Sequence, residues 1–299
     1  MDRLTQLRTF VRVAERGSFS AAACDLQVTQ STVSKAITAL EQSLGVRLVN
    51  RSTRSVSLNE TGSAYYQQCR RILSELDEAD AAVARLQGHI SGTLKIAAPV
   101  PFGLTFISPR VARFHALHPG LQVELDMDDR ALSLVEENID VAIRLGDPGT
   151  PGLVARRLGE SCFVAVASPA YLAARGVPVR PKDLSGHNCL AYTYQSDCWE
   201  WRTGRGMSRA VSVDGNYRSN NLLALKDAAL AGIGIARLPH WMVDAEIKSG
   251  ALRRILGEYH LPSFGIHAVF PSARQIPAKV RAFVEFMREE LRTVSYFLN

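Results

Sequence analysis

The stretch Ser18-Phe19-Ser20-Ala21-Ala22-Ala23-Cys24-Asp25-Leu26-Gln27-Val28-Thr29-Gln30-Ser31-Thr32-Val33-Ser34-Lys35-Ala36-Ile37 decides the fold of the N-terminal part of this chain. Ser18 and Ser20 are both good N-caps for the alanine-rich run that follows them, which predicts a short helix. Thr29 is a further N-cap candidate, and the helical pattern behind it ends at Gly45. A helical pattern over residues 4–14 adds a first helix. Three helices with a tight turn between the second and the third predict a helix-turn-helix.

The third predicted helix has two different faces. Apolar side chains at helical spacing predict an inward face, formed by Val33, Ile37, Leu40 and Leu44. Small polar side chains and one lysine form the opposite face: Ser31, Ser34, Lys35 and Thr38. A face of this kind lets a helix enter the major groove of DNA closely, where hydroxyl groups reach base edges or phosphates. For a single amphipathic helix the alternative is an ordinary solvated surface.

The segment after Gly45 resolves this alternative. Two short strands, predicted on either side of the tip Ser52-Thr53-Arg54, form a β-wing, and the second strand shows the alternation Ser55-Val56-Ser57-Leu58. Three arginines of this segment, Arg47, Arg51 and Arg54, have no acidic neighbour. An arginine at a wing tip suits a narrow, strongly negative minor groove. A helix-turn-helix followed by a basic wing predicts a DNA-binding domain of the winged-helix type.

These residues carry a family resemblance. The pattern formed by Ala21-Ala22, Leu26, Val28 to Ile37, Leu40-Glu41, Leu44 to Leu48 and Arg51 closely resembles the LysR-type transcriptional regulators. The resemblance extends over the whole chain and implies a DNA-binding regulator whose C-terminal domain senses a small molecule. We expect contacts with promoter DNA from residues of the third helix and the wing: Thr29, Gln30, Ser31, Thr32, Ser34, Lys35, Thr38, Arg47, Arg51, Ser52, Thr53 and Arg54.

A long helix is predicted after the wing. Asn59 is a suitable cap, no proline interrupts residues 60–87, and Gly88 supplies a stop, so the helix is roughly 42 Å long. Apolar side chains alternate at spacings of four and three residues: Tyr65, Cys69, Ile72, Leu76, Ala79, Val83 and Leu86. This heptad seam predicts coiled-coil dimerisation, the alternative being a helix packed on its own domain. The resemblance implies the same linker helix and an assembly of two or four copies.

The remainder of the chain alternates predicted strands and helices, which indicates an α/β domain with a parallel sheet. Strands are predicted over residues 94–98, 121–127, 140–144, 163–167 and 266–270, a proline-rich loop over 99–103, and helices over 130–138 and 277–291. The resemblance implies two lobes like those of type 2 periplasmic binding proteins, joined near Ala165–Ser168 and Phe264–Ala268. We therefore expect a mixed α+β chain with three parts. These are a winged helix-turn-helix over 1–58, a linker helix over 59–90, and an effector-binding domain over 91–299 (first lobe 91–165 and 266–299, second lobe 166–265).

Ligands of open α/β sheets bind beyond the C-terminal ends of the strands. That rule makes candidates of the residues after the predicted strands and at the start of a helix across the cleft: Val100, Pro101, Phe102, Asp128, Arg144, Asn220 and Asn221. Arg144 is equally consistent with an ion pair inside its lobe, and either asparagine with a plain helix cap. The resemblance implies that many members place a hydroxyl residue after the first strand, against a carboxylate effector. Here Val100-Pro101-Phe102 has none, which favours an aromatic or apolar effector.

Composition excludes several other classes. The chain has 299 residues, 46% hydrophobic and 21% charged, and a net charge of +6, of which +4 lies in residues 1–58. No apolar run reaches the ~18 residues of a membrane span, and no secretion signal is evident, so we expect a cytoplasmic protein. We find no nucleophile-elbow, P-loop or metal-site motif, and we expect no enzymatic activity, metal or cofactor. Two alternatives stay open: a thiol-based redox regulator using Cys189 and Cys198, and a small-molecule-binding protein with no role on DNA.

Overall fold

A computed structural model describes residues 2–51, 56–86, 90–130, 133–149, 152–203, 208–271, 276–294 and 297. The chain forms two compact units, Met1–Gly88 and His89–Asn299. None of the described helices is long and apolar enough to cross a membrane.

In its described residues, the first unit contains four helices and a two-stranded hairpin. Its elements are α1 (Arg3–Arg16), α2 (Phe19–Asp25), α3 (Gln30–Leu44), β1 (Val49–Arg51), β2 (Val56–Leu58) and α4 (Glu60–Leu86). Ser18 and Thr29 cap α2 and α3 as predicted, because their hydroxyl oxygens accept hydrogen bonds from the N–H groups of the first turns. Gly45 ends α3 in the left-handed conformation, with φ of 71°. The predicted helix-turn-helix and wing are confirmed.

The core of the first unit includes the beginning of the long helix α4. Phe10 of α1, together with Ile37 and Leu40 of α3, is completely buried, and so is Cys69 of α4. Gly62 allows α4 to approach the chain that leads into the wing, since a Cβ atom there would lie 1.9 Å from the carbonyl oxygen of Leu48. The first part of α4 therefore shares one core with the helix-turn-helix and the wing, and we call this part of the chain, residues 2–51 and 56–73, the head.

The second unit is an α/β structure whose strands form one continuous sheet and a small separate one. Its helical elements are α5 (Val100–Phe102), a π-helical turn (Gly103–Ile107), two 3₁₀ turns (Ser108–Arg110 and Pro181–Gly186), α6 (Val111–Leu117), α7 (Pro169–Arg175), α8 (Leu222–Leu230), α9 (His240–Ser249) and α10 (Ala278–Arg292). Its strands are β3 (Gly92–Ala98), β4 (Leu121–Met127), β5 (Val141–Leu145), β6 (Leu153–Ala167), β7 (Cys189–Tyr192), β8 (Cys198–Thr203), β9 (Ser208–Ser212), β10 (Arg218–Ser219), β11 (Ile235–Pro239), β12 (Arg253–Arg254), β13 (Tyr259–His260) and β14 (Ser263–Pro271).

The sheet divides into two lobes that share strand β6. In the first lobe the order is β6-β14-β5-β3-β4, and in the second lobe it is β10-β7-β11-β6, with β12 also paired to β6. β3 runs parallel to β4 and β5, and β7 runs parallel to β10 and β11. β14 is antiparallel to both of its neighbours, and β11 is antiparallel to β6. The prediction of a parallel sheet is therefore correct only for part of each lobe, because the strands that link the lobes run against the others.

The crossing between the lobes lies earlier than predicted. Strand β6 pairs with β14 as far as Cys162 and with β11 from Phe163 onward, so one unbroken strand serves both lobes. The predicted crossing at Ala165–Ser168 is wrong by about three residues. The return crossing precedes Ser263, where β14 begins, instead of lying within Phe264–Ala268. Neither crossing interrupts a regular strand, which is why the sequence pattern does not mark them.

Two predicted elements of the first lobe are wrong. The helix predicted over 130–138 is absent from its described part, where residues 134–138 form a turn that ends at Asn138 with a left-handed φ of 57°. The proline-rich loop predicted over 99–103 is helical from Val100, with Pro99 as its N-cap and Pro101 in the first turn. A proline in the first turn gives up no intrahelical hydrogen bond, so it permits the helix that we expected it to break.

Candidate DNA-binding head and ligand cleft

The outward face of α3 is polar and accessible, as predicted. Gln30, Ser31 and Lys35 are exposed, while Ser34 and Thr38 are half-buried on the same side of the helix. The opposite side is formed by side chains that are completely buried in the head. α3 is thus anchored by its apolar side and presents a surface of short side chains with a single cation, a shape that fits the major groove.

The N-terminus of α3 carries a chain of hydroxyl groups. The Thr29 hydroxyl oxygen accepts the N–H of Thr32 at 3.2 Å and lies 2.9 Å from the Ser31 hydroxyl and 2.8 Å from the Thr32 hydroxyl. Thr29 therefore has a structural role as the cap, in addition to the DNA contact predicted for it. The hydroxyl groups of Ser31 and Thr32 are oriented by it at the end of the helix where an anionic phosphate is most favourable.

Hydrogen bonds to Glu41 connect the wing to helix α3. A carboxylate oxygen of Glu41 accepts the N–H groups of Leu48 and Val49, at 2.8 and 3.2 Å. This bond pair ties α3 to the first strand of the wing. Arg47 is exposed next to this junction and lines a groove with Thr38 of α3.

Part of the predicted wing contact lies outside the described residues. The structure describes the backbone pairing of Arg51 with Val56 but not the Arg51 side chain. The tip residues Ser52, Thr53 and Arg54 also lie outside the described residues.

The first two positions of the predicted dimer seam belong to the head itself. Cys69 is completely buried among the core side chains of its own unit, and Tyr65 contacts the Phe10 ring at 5.7 Å and accepts a hydrogen bond from Arg3 at 3.1 Å. Cys69 therefore packs in the core of its own unit and the half-buried Tyr65 packs against it, which is the arrangement given above as the alternative to a dimer seam. Ile72 is 44% exposed and Leu76 is half-buried. The side chains of Ala79, Val83 and Leu86 lie outside the described residues.

In the second unit, the carboxyl ends of the parallel strands surround a cavity of about 460 Å³ between the two lobes, which we call the cleft. Residues from both lobes line it: Ala97, Ala98, Pro99, Pro101, Asp128, Asp129, Arg130, Ala142, Ile143, Arg144, Leu145, Gly146, Asp147, Gly149, Phe163, Tyr192, Tyr194, Gln195, Leu222, Pro239, Trp241 and Phe264. The position agrees with the rule that ligands of open α/β sheets bind beyond the strand ends. Its volume is in the range of small-molecule sites, ~300–1,000 Å³.

Three of the seven predicted cleft residues, Pro101, Asp128 and Arg144, line the cleft. Phe102 does not, because it is completely buried in the core behind the cleft, where its ring lies 6.1 Å from that of Trp241. The side chain of Val100 is half-buried and does not line the cleft either. The structure therefore places these two residues outside the lining of the cleft.

The two predicted asparagines also lie outside the lining of the cleft. Asn221 is the N-cap of α8, and its side-chain oxygen accepts the N–H of Leu223 at 2.8 Å. Asn220 is exposed to solvent, and neither residue lines the cleft. From this helix Leu222 reaches the cleft instead. The first turn of α8 thus supplies an apolar contact where a polar one was predicted.

Sequence reasoning missed the aromatic side chains of the cleft. Phe163, Tyr192, Tyr194, Trp241 and Phe264 all line it. Tyr192, Tyr194 and Trp241 lie at or just after the carboxyl ends of β7 and β11, so the rule that selected Asp128 and Arg144 would have found them in the second lobe. Phe163 lies within β6 and Phe264 near the start of β14, where that rule does not apply. These five aromatic side chains line the cleft beside five charged ones: Asp128, Asp129, Arg130, Arg144 and Asp147.

Two adjacent aspartates of the cleft, Asp128 and Asp129, have different hydrogen-bond partners and different pKa shifts. The guanidinium of Arg130 donates to Asp128 Oδ2 at 2.6 and 2.9 Å, and these bonds hold the pKa of Asp128 below its usual value. Asp129, the next residue, accepts the N–H of Val100 at 2.9 Å through Oδ1. Burial, with a smaller contribution from the charge of Asp128, raises the pKa of Asp129. Burial and the nearby charge of Asp129 raise the pKa of the Tyr192 hydroxyl as well.

A half-buried arginine supports the second-lobe wall of the cleft. Arg237 donates to Gln195 Oε1 at 2.6 Å, and its guanidinium lies over the rings of Phe163 and Trp199, 5.5 and 5.3 Å from their centres. Burial lowers the pKa of Arg237 to about 10. Cation–π contact and one charge-assisted hydrogen bond stabilise this cation. They also fix the positions of Gln195 and Phe163, which line the cleft.

The cysteines named in the redox alternative lie in different environments. Cys189 is buried on β7, its Sγ lies 3.7 Å from the carbonyl oxygen of Leu184, and burial raises the pKa of its thiol to about 12. Cys198 is exposed on β8, and both cysteines are free thiols. Because the thiolate is the reactive form, the environment of Cys189 disfavours a redox role for it.

Both units match known protein families. Residues 4–63 match the bacterial regulatory helix-turn-helix protein, lysR family, and residues 87–292 match the LysR substrate binding domain. The second match alone covers more than half of the chain, and the two matches follow each other in the order of the two units.

Relatives and solved structures agree with these matches over nearly the whole chain. The HTH-type transcriptional regulator PtxR of Pseudomonas aeruginosa is 41% identical over 289 residues, which are 96% of this chain and 93% of that protein. The structure of CrgA, a LysR-type transcriptional regulator from Neisseria meningitidis, is similar with a TM-score of 0.62 at 32% identity, over 96% of this chain and 98% of that one. The full-length structure of the Vibrio cholerae virulence activator AphB is similar with a TM-score of 0.61 at 27% identity, over 96% of this chain and 99% of that one. The chain belongs to the LysR family of DNA-binding transcriptional regulators.

Proposed function

We propose that the outward face of α3 reads base sequence in the major groove of promoter DNA. The residues assigned to this contact are Thr29, Gln30, Ser31, Thr32, Ser34, Lys35 and Thr38. Their support is the combination of short, accessible polar side chains with a fully buried opposite face. Short side chains allow the helix backbone to lie deep in the groove, where each base pair presents a distinct pattern of donors and acceptors.

The wing holds the DNA backbone and reaches toward the adjacent minor groove. Arg47, Arg51, Ser52, Thr53 and Arg54 are assigned to this contact. The bonds from Glu41 to the wing support it, because they fix the angle between the wing and the recognition helix. Phosphate contacts of this kind add affinity and make it dependent on salt, while the helix supplies most of the sequence discrimination.

LysR regulators act as oligomers, and we propose that the later part of α4 forms the contact between two copies of this chain. The seam then consists of Ile72, Leu76, Ala79, Val83 and Leu86, without the two residues that the head covers. The exposed Ile72 supports this choice, since it continues the seam where the head core ends. Two heads on one axis would bind two half-sites and gain affinity through their connection.

The cleft binds a small-molecule effector, and its occupancy changes how the two heads bind DNA. Its size, its aromatic lining and its position at the strand ends of both lobes support this assignment. A ligand bound between two lobes favours the lobe arrangement in which it makes more contacts. The difference in binding free energy between the two lobe arrangements then shifts the equilibrium between two arrangements of the oligomer. The occupied and the empty cleft then correspond to different affinities for the promoter.

The single observation that carries the proposal is the accessible polar face of α3 on a head tied to a wing. To test it, the full-length protein is incubated with sheared genomic DNA of its host, and the retained fragments are sequenced. We expect recurrent sequences with two related half-sites, which are less strongly enriched when the Lys35→Ala variant replaces the wild type under the same conditions. Retained fragments that match the input DNA for the wild type would contradict the proposal.

A further inference from the structure

The cleft lacks the free backbone N–H donors that we would expect where α5 begins if the effector were a carboxylate. The helical segment that begins with α5 follows the first strand of the lobe, and its N–H groups would be the obvious donors to an anion. The N–H of Val100 already donates to Asp129 Oδ1 at 2.9 Å, and Pro101 has no N–H. A ligand carboxylate at this position would therefore meet the carboxylate of Asp129 instead of free donors.

Two buried polar atoms of cleft residues have no hydrogen-bond partner among the described residues. One is Oδ2 of Asp129, the second oxygen of the same carboxyl group. The other is the indole Nε1 of Trp241, a residue that is only 6% exposed. Both residues line the cleft, and they come from different lobe segments, after β4 and after β11. The carboxylate oxygen lacks a donor and the indole N–H lacks an acceptor.

A hydroxyl group is the simplest chemical group that offers both a donor and an acceptor. An aromatic ring would pack against Phe163, Tyr192 and Phe264, which line the same cavity. We propose that the effector is a small aromatic hydroxy compound, and that Asp129 and Trp241 recognise its polar groups. The proposal rests on the proposed function only in assigning the effector to this cleft.

The indole N–H of Trp241 favours a hydroxyl group over a cationic donor. Asp128, Asp129 and Asp147 line the cleft together with Arg130 and Arg144, so charge alone does not decide between the two. An ammonium group close to Asp129 would leave the N–H of Trp241 without an acceptor. A hydroxyl group supplies that acceptor as well as a donor for Asp129.

The test compares three single-ring probes of similar size in calorimetric titrations of the full-length protein without DNA. The probes are 4-methylphenol, benzylamine and benzoate. We expect 4-methylphenol to bind at least tenfold more tightly than either of the others. Equal or tighter binding of benzoate or benzylamine, or no binding of 4-methylphenol at millimolar concentration, would overturn the proposal.

Substitution of Asp129 sharpens the test. Asp129→Asn keeps an oxygen for the N–H of Val100 and replaces the unpartnered oxygen by a donor group. We expect the variant to lose at least tenfold in affinity for 4-methylphenol and to gain affinity for benzoate, a reversal that general loss of folding does not produce.

Two further variants serve as comparisons. The Trp241→Phe variant should lose affinity for 4-methylphenol but not for the other two probes. Asp126→Asn, at an exposed position on β4, should leave all three affinities unchanged. Unchanged 4-methylphenol affinity in Asp129→Asn would refute the role of this carboxylate.

The two proposals fail separately in these experiments. The titrations contain no DNA, so they report on the ligand class alone. Genomic fragment selection contains no added ligand, so it reports on DNA recognition alone. A protein that selects promoter fragments but prefers benzoate retains the proposed function and loses only the inference about its effector.

Discussion

The head and the cleft place their polar groups in opposite ways. On α3 the polar side chains are accessible and point to solvent, while the residues behind them are completely buried. In the cleft, the Asp128–Arg130 pair lies at the solvent-exposed edge, while Asp129 Oδ2 and Trp241 Nε1 are buried without a hydrogen-bond partner among the described residues. The head is therefore suited to a large, hydrated, charged partner, whose binding depends on salt. The cleft is suited to a small ligand that must satisfy buried atoms, where one unmatched polar group decides the affinity.

The difference also concerns how each region is assembled. The predicted DNA contacts come from one continuous stretch, Thr29 to Arg54, whereas the cleft draws residues from segments between Ala97 and Phe264. A substitution in the head should therefore act on DNA binding and leave the cleft intact, and the reverse should hold for the cleft.

The largest effect is expected from Gly62→Ala. The new Cβ would lie 1.9 Å from the backbone carbonyl oxygen of Leu48, so α4 and the wing must move apart. Overpacking of this kind costs ~1–3 kcal/mol or more, and we expect the variant to lose DNA binding while 4-methylphenol still binds the cleft. Thermal unfolding and DNA titration measure the effect. Gly257→Ala is the matched control, since a Cβ there meets nothing within 4 Å; equal DNA affinity in both variants would contradict the packing described for Gly62.

The next largest effect is expected from Leu76→Asp on the proposed dimer seam. A charge in an apolar coiled-coil seam should separate the copies, and loss of the second head should reduce DNA affinity by ~10²–10⁴-fold. Light scattering measures the mass of the assembly and a DNA titration measures the affinity. Gln68→Asp, at an exposed position on the same helix, should leave both unchanged. An intact assembly in the Leu76→Asp variant would place the interface elsewhere.

A smaller effect is expected from Lys35→Ala on the outward face of α3. Loss of one contact to DNA should reduce affinity about tenfold, or ~1.4 kcal/mol, and lower the salt slope by ~0.9 if the lysine neutralises a phosphate. Titrations at several salt concentrations provide both quantities. Lys182→Ala removes an exposed lysine from the second lobe and serves as the control. Identical affinity and slope in the two variants would exclude Lys35 from the DNA contact.

The smallest effect concerns the stability of the second unit. The pKa of Asp129 is raised by burial, so the folded chain binds this proton more tightly than the unfolded chain. Stability from this group therefore falls as pH rises from the ordinary carboxyl pKa to the raised one, and the penalty persists above both. Asp129→Asn should remove it and raise the melting temperature at neutral pH, within the ~0.5–2 kcal/mol usual for stabilising substitutions. A lower melting temperature than that of the wild type would contradict this account of Asp129.

The same contrast explains which features the sequence predicts. Ser18, Thr29 and Gly45 mark the ends of the head helices through local chemistry, and each is found in the predicted role. Lys35 lies on the accessible face because helical periodicity alone decides it. The spacing of Cys69 along α4 fits two roles equally well: a position in a seam between two copies and a position in the core of its own unit. The structure places it in that core, which the spacing alone does not predict.

Prediction of the cleft is less complete because its geometry depends on contacts between distant segments. Phe102 and Pro101 are neighbours after the same strand, yet only Pro101 lines the cleft, since the helical start turns the phenylalanine into the core. Tyr192 and Trp241 approach Pro101 and Asp129 only through the two crossings between the lobes. The sequence pattern does not mark these crossings, as the unbroken strand β6 demonstrates.

The central claim is that a DNA-binding head and a ligand cleft are coupled within one regulator. The most direct measurement is the affinity of the full-length protein for one selected promoter fragment, with and without saturating 4-methylphenol. The account predicts a change of ~5–150-fold, the range of typical allosteric coupling, in the wild type and none in the Asp129→Asn variant. Identical affinity and an identical footprint, while calorimetry reports that the cleft is filled, would contradict it.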